Sequence, residues 1–329
     1  MILPGDAAQS IAAAADRLAA GGLVGLPTET VYGLAADAGN DAAVRAIFTA
    51  KGRPADHPLI VHLAGAAQVA DFAASVPPFA QALIDAFWPG PLTLILPRRP
   101  GVAEAAAGGH PTIGLRCPAH PVAHALLAAA AERGVRGLAA PSANRFGRVS
   151  PTRAAHVAAE FGDELLVLDG GPCAVGIESG IVDCTRGAPV LLRPGQLARA
   201  DLERVAGQPL LSKEELSAPD PRAPGTLLAH YAPAAPVRLM PSAELRAALE
   251  LLGADARAIG VWARGALPAA AGPLRRRMPD DAAAAARELF AVLRAFDDAG
   301  ARLIWVEAPP PDAAWDGVRD RLQRAAAAG

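Results

Sequence analysis

Short apolar runs alternate with amphipathic segments along most of this sequence. Residues 7–20 carry Ile11, Ala14 and Leu18 at helical spacing, and two glycines follow. The next apolar run, Leu23 to Leu26, stops at Pro27 and predicts a buried strand. The same patterns predict helices near 40–50, 79–87, 120–132 and 199–206, and strands at 59–63, 92–96, 112–116, 137–140, 165–168, 181–184 and 190–192.

The pattern changes after residue 207. Residues 208–236 are rich in proline and poor in periodic apolar positions, which is typical of a linker. Beyond them, strands predicted at 237–240, 258–263 and 302–306 alternate with helices at 242–252, 280–298 and 315–327. This alternation predicts a small, Rossmann-like parallel sheet. No G-x-G-x-x-G follows its first strand, so we expect no dinucleotide site, and Arg275-Arg276-Arg277 is interpreted as a solvated loop.

Length and composition agree with an α/β protein of two domains. The chain has 329 residues, of which 52% are hydrophobic and 19% charged. We therefore predict a twisted open sheet domain with helices at 1–207, a linker at 208–236 and a small parallel α/β domain at 237–329.

Charge and cysteine content exclude several classes of function. The formal net charge is -2, so the molecule has no overall basic field for capturing nucleic acid. The 3 cysteines, Cys117, Cys173 and Cys184, form no C-x-x-C pair, so neither a zinc site nor a disulfide framework is indicated. We see no signal peptide and no apolar run long enough to span a bilayer, and we predict a cytoplasmic protein without a membrane partner.

The segment Lys51-Gly52-Arg53-Pro54 is the first candidate for chemistry, and it allows two interpretations. A basic residue followed by glycine is typical of a helix C-terminus. Lysine and arginine two residues apart are also suited to bind a polyphosphate. Pro141-Ser142-Ala143-Asn144 is similarly ambiguous, because small polar residues after a strand are common in turns and N-caps. Ser150-Pro151-Thr152 is interpreted as an ordinary cap for the following helix.

Other cationic and hydroxyl residues follow predicted strands. Alternation along residues 112–116 places Thr112 and Arg116 on one face, so Arg116 is either a rim charge or an inward anion ligand. His62 lies in an apolar strand, where a histidine is more often structural than a ligand. The chain lacks G-x-x-x-x-G-K-[ST] and H-E-x-x-H. The cationic and hydroxyl residues at the strand ends suit phosphoryl or nucleotidyl transfer, in which a protein mainly positions substrates and neutralises charge.

An ordered set of short motifs resembles one known family, the YrdC-type threonylcarbamoyl-AMP synthases, in their longer two-domain branch. The residues that carry this resemblance are Leu26-Pro-Thr-Glu-Thr-Val-Tyr-Gly-Leu34, Lys51-Gly-Arg-Pro54 with Pro58-Leu59, Pro141-Ser-Ala-Asn144, Ser179-Gly180, Arg193-Pro-Gly195, Ala223-Pro-Gly225 and His230-Tyr-Ala-Pro233. The match covers about residues 10–233. Each motif is weak alone, but their ordered combination is specific.

The resemblance implies a YrdC-like fold for the first domain and an activity. L-threonine, bicarbonate or CO2, and ATP would give threonylcarbamoyl-AMP and pyrophosphate, a nucleotidyl transfer. The adenylate would then pass to the tRNA threonylcarbamoyl transferase machinery that modifies adenosine 37. Mg²⁺ is expected with ATP, its protein ligands are not indicated, and no organic cofactor is expected.

The resemblance also implies roles for individual residues. Lys51 and Arg53 would be catalytic, and Tyr231 would belong to a lid formed by the linker. The L-threonine site would be formed by Thr30, His62, Arg116, Ala140 and Ser179. ATP would be bound by Lys51, Arg53, His57, Thr112, Ser142, Asn144, Ser150, Arg193 and Tyr231.

Two alternatives remain open from the sequence. The first is an RNA-binding module, since this fold has been associated with a concave basic surface, although the near-neutral charge argues against more than weak RNA binding. The second is a carbamoyl-transfer domain related to hydrogenase maturation factors. Those proteins carry acylphosphatase and zinc-finger-like regions, which this sequence does not show.

Overall fold

The computed structural model describes residues 1–212, 215, 230–265 and 274–328, and these residues form two compact units. The first unit contains residues 1–146 and 151–212 together with Glu215, and the second contains residues 147–150, 230–265 and 274–328. Most of the predicted linker, including its motif at 223–225, lies outside the described residues.

The first unit is a mixed α/β structure in which strands and helices alternate irregularly. Its strands are β1 (Ile2–Pro4), β2 (Val24–Leu26), β3 (Gly33–Asp37), β4 (Ile60–His62), β5 (Leu92–Pro97), β6 (Thr112–Arg116), β7 (Leu138–Ala139), β8 (Leu166–Asp169), β9 (Gly180–Asp183), β10 (Val190–Arg193) and β11 (Leu211–Ser212). Its helices are α1 (Ala8–Ala19), α2 (Asp41–Lys51), α3 (Val69–Phe72), α4 (Pro78–Phe87), α5 (Pro121–Ala131), α6 (Ala154–Phe161) and α7 (Arg199–Ala206).

These strands form a single 11-stranded sheet in the order β1-β8-β2-β3-β7-β4-β6-β5-β9-β10-β11. The central strands β4 and β6 are parallel and pair His62 with Arg116. β4 is antiparallel to β7, and β6 is antiparallel to β5. Strands distant in sequence thus become neighbours, which brings residues from four separate segments to the middle of the sheet.

Packing differs between the two faces of this sheet. On one face, α1 and α5 pack their apolar positions, such as Leu18 and Leu126, against Leu26 and Leu138. The other face carries the largest core, which includes Ile47 of α2. Since His62 pairs with Leu138 and also with Arg116, all three side chains point to the α1/α5 face. Beyond β7, that face carries a separate small cluster of Ile60, Ile95, Ile181, Val190 and Leu192.

The second unit is a small parallel sheet with helices. Its elements are β12 (Val237–Met240), α8 (Ser242–Leu252), β13 (Ile259–Ala263), β14 (Arg275–Arg277), α9 (Ala282–Asp298), β15 (Leu303–Glu307) and α10 (Asp316–Ala326). The strand order is β12-β15-β13-β14, and every pairing is parallel. The predicted fold class, an open α/β sheet followed by a small Rossmann-like parallel α/β unit, is confirmed.

Some local predictions were wrong. Residues 275–277 form the edge strand β14, paired with Val261–Ala263, and not a solvated loop. Pairing to a buried neighbour outweighs the three charges, because arginine side chains at an edge remain hydrated. The segment 150–152 does not cap a helix: α6 begins later, with Arg153 at its N-cap and no capping side chain. Strands β1 and β3 were not predicted.

Within the described residues, no helix is both long and apolar enough to cross a membrane.

Candidate functional site

Lys51 is the last residue of α2 and lies at one end of the candidate site. Gly52 ends the helix in a left-handed conformation, with φ of 63°, and its N–H donates to the carbonyls of Phe48 and Thr49. The helix-end interpretation of this segment is therefore correct as local structure. It does not exclude a binding role, because Lys51 is only 3% exposed and its Nζ turns away from solvent.

The Lys51 ammonium reaches the second predicted motif. Nζ donates hydrogen bonds to the backbone carbonyls of Ser142 and Asn144, and Phe146 N donates to the Lys51 carbonyl at 2.8 Å. Two segments about 90 residues apart in sequence, the α2 terminus and the loop after β7, are thus fixed to each other. Burial, reinforced by the neighbouring Arg53 charge, holds the pKa of Lys51 well below its usual value. An anion placed beside this ammonium would favour its charged form.

Phe146 organises the other polar groups of this cluster. The Arg53 guanidinium lies 5.7 Å from the centre of the Phe146 ring, and the His57 ring meets the same ring edge-on at 5.6 Å. Arg53 Nη2 also donates to the Pro58 carbonyl at 3.1 Å. Phe146 was not among the predicted site residues, because an isolated phenylalanine in a loop carries no signal of its own. We call Lys51, Arg53, His57, Ser142 and Asn144 the basic cluster.

Arg116 is the centre of a second group of predicted residues. It ends β6, is 3% exposed, and donates from Nη1 to Thr30 Oγ1 at 2.8 Å and from Nε to the Gly90 carbonyl at 3.2 Å. Its Nη2 lies 2.6 Å from Glu29 Oε1. The open choice between rim charge and inward ligand is therefore settled in favour of a buried, inward guanidinium. We call this group the Arg116 pocket.

The loop that carries Thr30 is held by a neighbouring hydroxyl. Thr28 Oγ1 lies 2.9 Å from Thr30 Oγ1, donates to the Val31 carbonyl and accepts from the N–H groups of Thr30 and Val31. This turn follows directly from β2 and aims Thr30 at Arg116. Thr28 itself was not predicted as a site residue.

His62 borders the Arg116 pocket through strand register. It pairs with Arg116 across β4 and β6 and is 3% exposed. Burial, together with the Arg116 charge, lowers the pKa of His62 to about 3, so the imidazole is neutral near pH 7. Its Nδ1 has no hydrogen-bond partner among the described residues. A neutral ring with a vacant polar atom can bind a hydroxyl or amino group.

A chain of hydrogen bonds connects Ser179 with its neighbours on the same face. Ser179 Oγ lies 2.8 Å from Thr93 Oγ1, and Arg193 Nε donates to the Ser179 carbonyl at 3.0 Å. Ser179, Arg193 and Thr93 are all buried. Thr93 was not predicted, because a threonine inside an apolar strand is common in any sheet.

The remaining predicted residues of the first unit, Ala140 and Thr112, lie in or next to the central strands. Ala140 follows β7 and donates its N–H to the Ile60 carbonyl at 3.0 Å. Thr112 begins β6 on the face that carries Arg116, four residues away, which is about 13 Å along a strand. Ala140, which leads into Ser142, lies beside Ile60 at the start of β4, whereas Arg116 pairs with His62 at its end. The two groups therefore lie toward opposite ends of the central strands.

Two predicted ATP ligands, Ser150 and Tyr231, belong to the second unit. Ser150 is fully buried there. Tyr231 adopts a left-handed backbone conformation, with φ of 63°, and its ring packs 5.4 Å from the Phe290 ring and beneath the Arg321 guanidinium. Ala232, the next residue, donates to the Gly147 carbonyl, which places residues 147–150 in this unit.

The described residues show no cluster of side chains that could hold a metal ion. They include no group of three or more His, Cys, Asp or Glu side chains placed to hold a metal ion. The three cysteines are buried free thiols, and burial raises the pKa of Cys117 to about 11 and that of Cys173 to about 12. Neither thiol is therefore suited to act as a ligand or a nucleophile near pH 7.

Comparison with protein families gives two matches in chain order. The model described as "Telomere recombination", which covers Sua5, YciO and YrdC proteins, matches residues 16–195. The model described as "Threonylcarbamoyl-AMP synthase, C-terminal domain" matches residues 197–327.

Individual relatives cover most of the chain. A threonylcarbamoyl-AMP synthase from Pyrococcus abyssi is 39% identical over 95% of this chain and 92% of its own length. Another from Bacillus subtilis is 44% identical over 70% of this chain and 66% of its own length. The solved structure of P. abyssi Sua5 complexed with L-threonine is 37% identical, with a TM-score of 0.87 over 97% of this chain and 94% of the relative.

A second P. abyssi Sua5 structure, in which a histidine and a tyrosine are replaced by alanine, has a TM-score of 0.88 at 36% identity and covers 100% of this chain and 96% of that one. The resemblance noted in the short motifs thus extends through both units and is confirmed. This chain belongs to the threonylcarbamoyl-AMP synthase family, in the branch that carries the additional C-terminal domain.

Proposed function

We propose that this protein is an L-threonylcarbamoyladenylate synthase. It forms threonylcarbamoyl-AMP and pyrophosphate from L-threonine, bicarbonate or CO2, and ATP, and it supplies the modification of adenosine 37 in tRNA. Because an adenylyl group moves from ATP to a carboxylate, the reaction is a nucleotidyl transfer.

One observation carries the proposal: the basic cluster and the Arg116 pocket lie toward opposite ends of the same central strands of the first unit. A buried guanidinium with fork geometry suits an amino-acid carboxylate. A lysine and an arginine beside backbone amides suit a triphosphate. Similarity over 95% of this chain to a threonylcarbamoyl-AMP synthase, and the related Sua5 structure complexed with L-threonine, support the threonine part of this proposal.

The chemistry needs positioning and charge neutralisation more than a nucleophilic side chain. The threonine ammonium and bicarbonate give a carbamate, with release of water and one proton. A carbamate oxygen then bonds to the α-phosphorus of ATP as the bond to the pyrophosphate oxygen breaks. The attacking group is already an anion, so no residue has to activate it.

Each residue group has a distinct role in this scheme. Arg116 holds the threonine carboxylate, while Thr30, His62, Ala140 and Ser179 surround the rest of the amino acid. Lys51 and Arg53 neutralise the negative charge that develops on the phosphate oxygens during transfer. The remaining ATP contacts are assigned to His57, Thr112, Ser142, Asn144, Ser150, Arg193 and Tyr231.

Mg²⁺ is proposed to arrive with ATP and to be coordinated by phosphate oxygens and water, since the described residues offer it no cluster of carboxylates. We also propose a cytoplasmic location and a transferase that takes up the adenylate. A mixed anhydride of this kind is reactive, so the product requires a consuming enzyme.

The test is a pyrophosphate-release assay on the purified full chain with ATP, Mg²⁺, bicarbonate and L-threonine. We expect release that depends on threonine and a threonylcarbamoyl-adenylate detected by mass spectrometry. Pyrophosphate release that does not depend on threonine, or no release at all, would refute the proposal. Preference for carbamoyl phosphate would support the carbamoyl-transfer alternative, and salt-sensitive RNA binding without turnover would support the RNA-binding one.

A further inference from the structure

Glu29 is a buried carboxylate in the Arg116 pocket to which the proposed roles assign no task. It is 7% exposed and lies on the loop between β2 and Thr30. Its backbone carbonyl accepts from Val175 N at 2.7 Å, so the loop that carries it is anchored. Its side chain has Oε1 at 2.6 Å from Arg116 Nη2.

This ion pair lacks the geometry of a purely structural one. Buried arginine and carboxylate groups usually align two parallel N–H···O bonds. Here neither Glu29 oxygen accepts an aligned hydrogen bond from a described residue, and Arg116 Nη2 donates none. An unsatisfied carboxylate at this depth is costly. The two groups are in contact, yet each keeps hydrogen-bonding capacity that no described residue uses.

A ligand that satisfies both side chains must supply hydrogen-bond donors for Glu29 and acceptors for Arg116. Arg116 has five N–H groups, and Thr30 Oγ1 and the Gly90 carbonyl accept two of them. In an α-amino acid, the ammonium and the carboxylate are attached to the same carbon. The groups that recognise them must therefore lie side by side, as Glu29 and Arg116 do.

We propose that Glu29 binds the α-amino group of L-threonine while Arg116 binds its carboxylate. This inference rests on the proposed function and adds a residue that determines specificity. The pocket thus favours a zwitterion: a carboxylic acid without the amino group would not supply the hydrogen-bond donors that the Glu29 oxygens lack.

The test is calorimetric binding of two ligands to the full chain, L-threonine and (R)-3-hydroxybutanoate, which lacks the amino group. In Glu29→Gln we expect threonine affinity to fall roughly 10- to 100-fold, the range for a hydrogen bond between charged groups. The affinity for 3-hydroxybutanoate should stay within about threefold, because its contacts to Arg116 remain. Glu29→Asp, which keeps the charge, should recover part of the loss.

Exposed Glu132, changed to Gln, is the matched control and should leave both affinities unchanged. Equal weakening of both ligands together with a lower melting temperature would assign Glu29 a structural role and overturn the proposal. Tighter binding of both ligands would also overturn it, by making Glu29 a competitor for Arg116. If the wild-type protein failed to bind threonine at all, the proposed function would fail instead.

Discussion

Lys51 and Arg116 are both buried cations of the first unit, yet their partners differ in charge. Lys51 donates to the neutral carbonyls of Ser142 and Asn144, and in the described part of the chain it has no ion pair. Arg116 lies against the Glu29 carboxylate. Lys51 thus has carbonyl groups as its direct partners, while the charges of Glu160 and Glu178 act on it without forming an ion pair, whereas Arg116 has a carboxylate in contact.

This difference indicates which ligand belongs at each end. A buried ammonium without a carboxylate in direct contact is stabilised by an anion, which suits the triphosphate of ATP. A balanced pair is best matched by a neutral ligand that carries both charges, which suits a zwitterionic amino acid. The contrast in local charge, more than the residue types, supports the proposed division into two subsites.

The largest expected effect follows from removing the charge of Lys51. In Lys51→Met, pyrophosphate release should fall roughly 10²- to 10³-fold, as when an enzyme loses one group that stabilises a charged transition state. Methionine retains most of the buried volume. The melting temperature should also fall, because two carbonyls lose their donor.

The control for Lys51→Met is Arg45→Met, an exposed residue of the same helix, which should keep full activity. Threonine affinity distinguishes loss of the Lys51 charge from loss of the fold, because the Arg116 pocket should still form in Lys51→Met. If Lys51→Met lost threonine affinity as severely as activity, Lys51 would serve the structure of the whole sheet and the comparison would fail.

A smaller effect is expected at the balanced end. In Arg116→Lys the charge opposite Glu29 is kept, but the planar fork is lost. Threonine affinity should fall about 10- to 100-fold, measured by calorimetry, while ATP affinity stays the same. Arg133→Lys, at a surface ion pair with Asp16, is the matched control and should change neither. A parallel loss of ATP affinity would contradict two independent subsites.

The order of helices and strands could largely be predicted from the sequence, but the contacts of the site could not. Helix α7 and strand β6 have the predicted bounds, because their periodicity is strong. Strand β3, Gly33–Asp37, consists mostly of small residues, and its sequence has no pattern that predicts a strand. It forms because β2 and β7 pair with it. Edge strand β14 was hidden by its three charges in the same way.

The candidate site shows the same limit more sharply. Lys51, Arg116 and their companions were named through family resemblance, whereas residue types alone left each of them ambiguous. Glu29 and Phe146 were missed because their importance lies in long-range contacts, such as that of Glu29 with Arg116. Sequence spacing carries no information on a contact that only the sheet order creates.

The smallest expected effect is the uptake of a proton by Lys51 when ATP binds. Burial holds the pKa of this lysine well below its usual value of 10.5, and a bound triphosphate should raise it again. At alkaline pH, between the lowered pKa and 10.5, ATP binding to the wild type should therefore take up a fraction of a proton. Calorimetry in buffers of different ionisation enthalpy measures it directly.

The pH dependence has opposite signs for folding and for binding. In the same pH window the unfolded chain binds more protons than the folded one, so the contribution of Lys51 to stability rises with pH. ATP affinity instead falls as pH rises through the lowered pKa, because binding needs the charged lysine.

Lys51→Arg stays charged and should show no proton uptake and a flat affinity profile. Equal uptake in the wild type and in Lys51→Arg would show that another group titrates, and Lys51 would then be a charged anchor for the loop after β7.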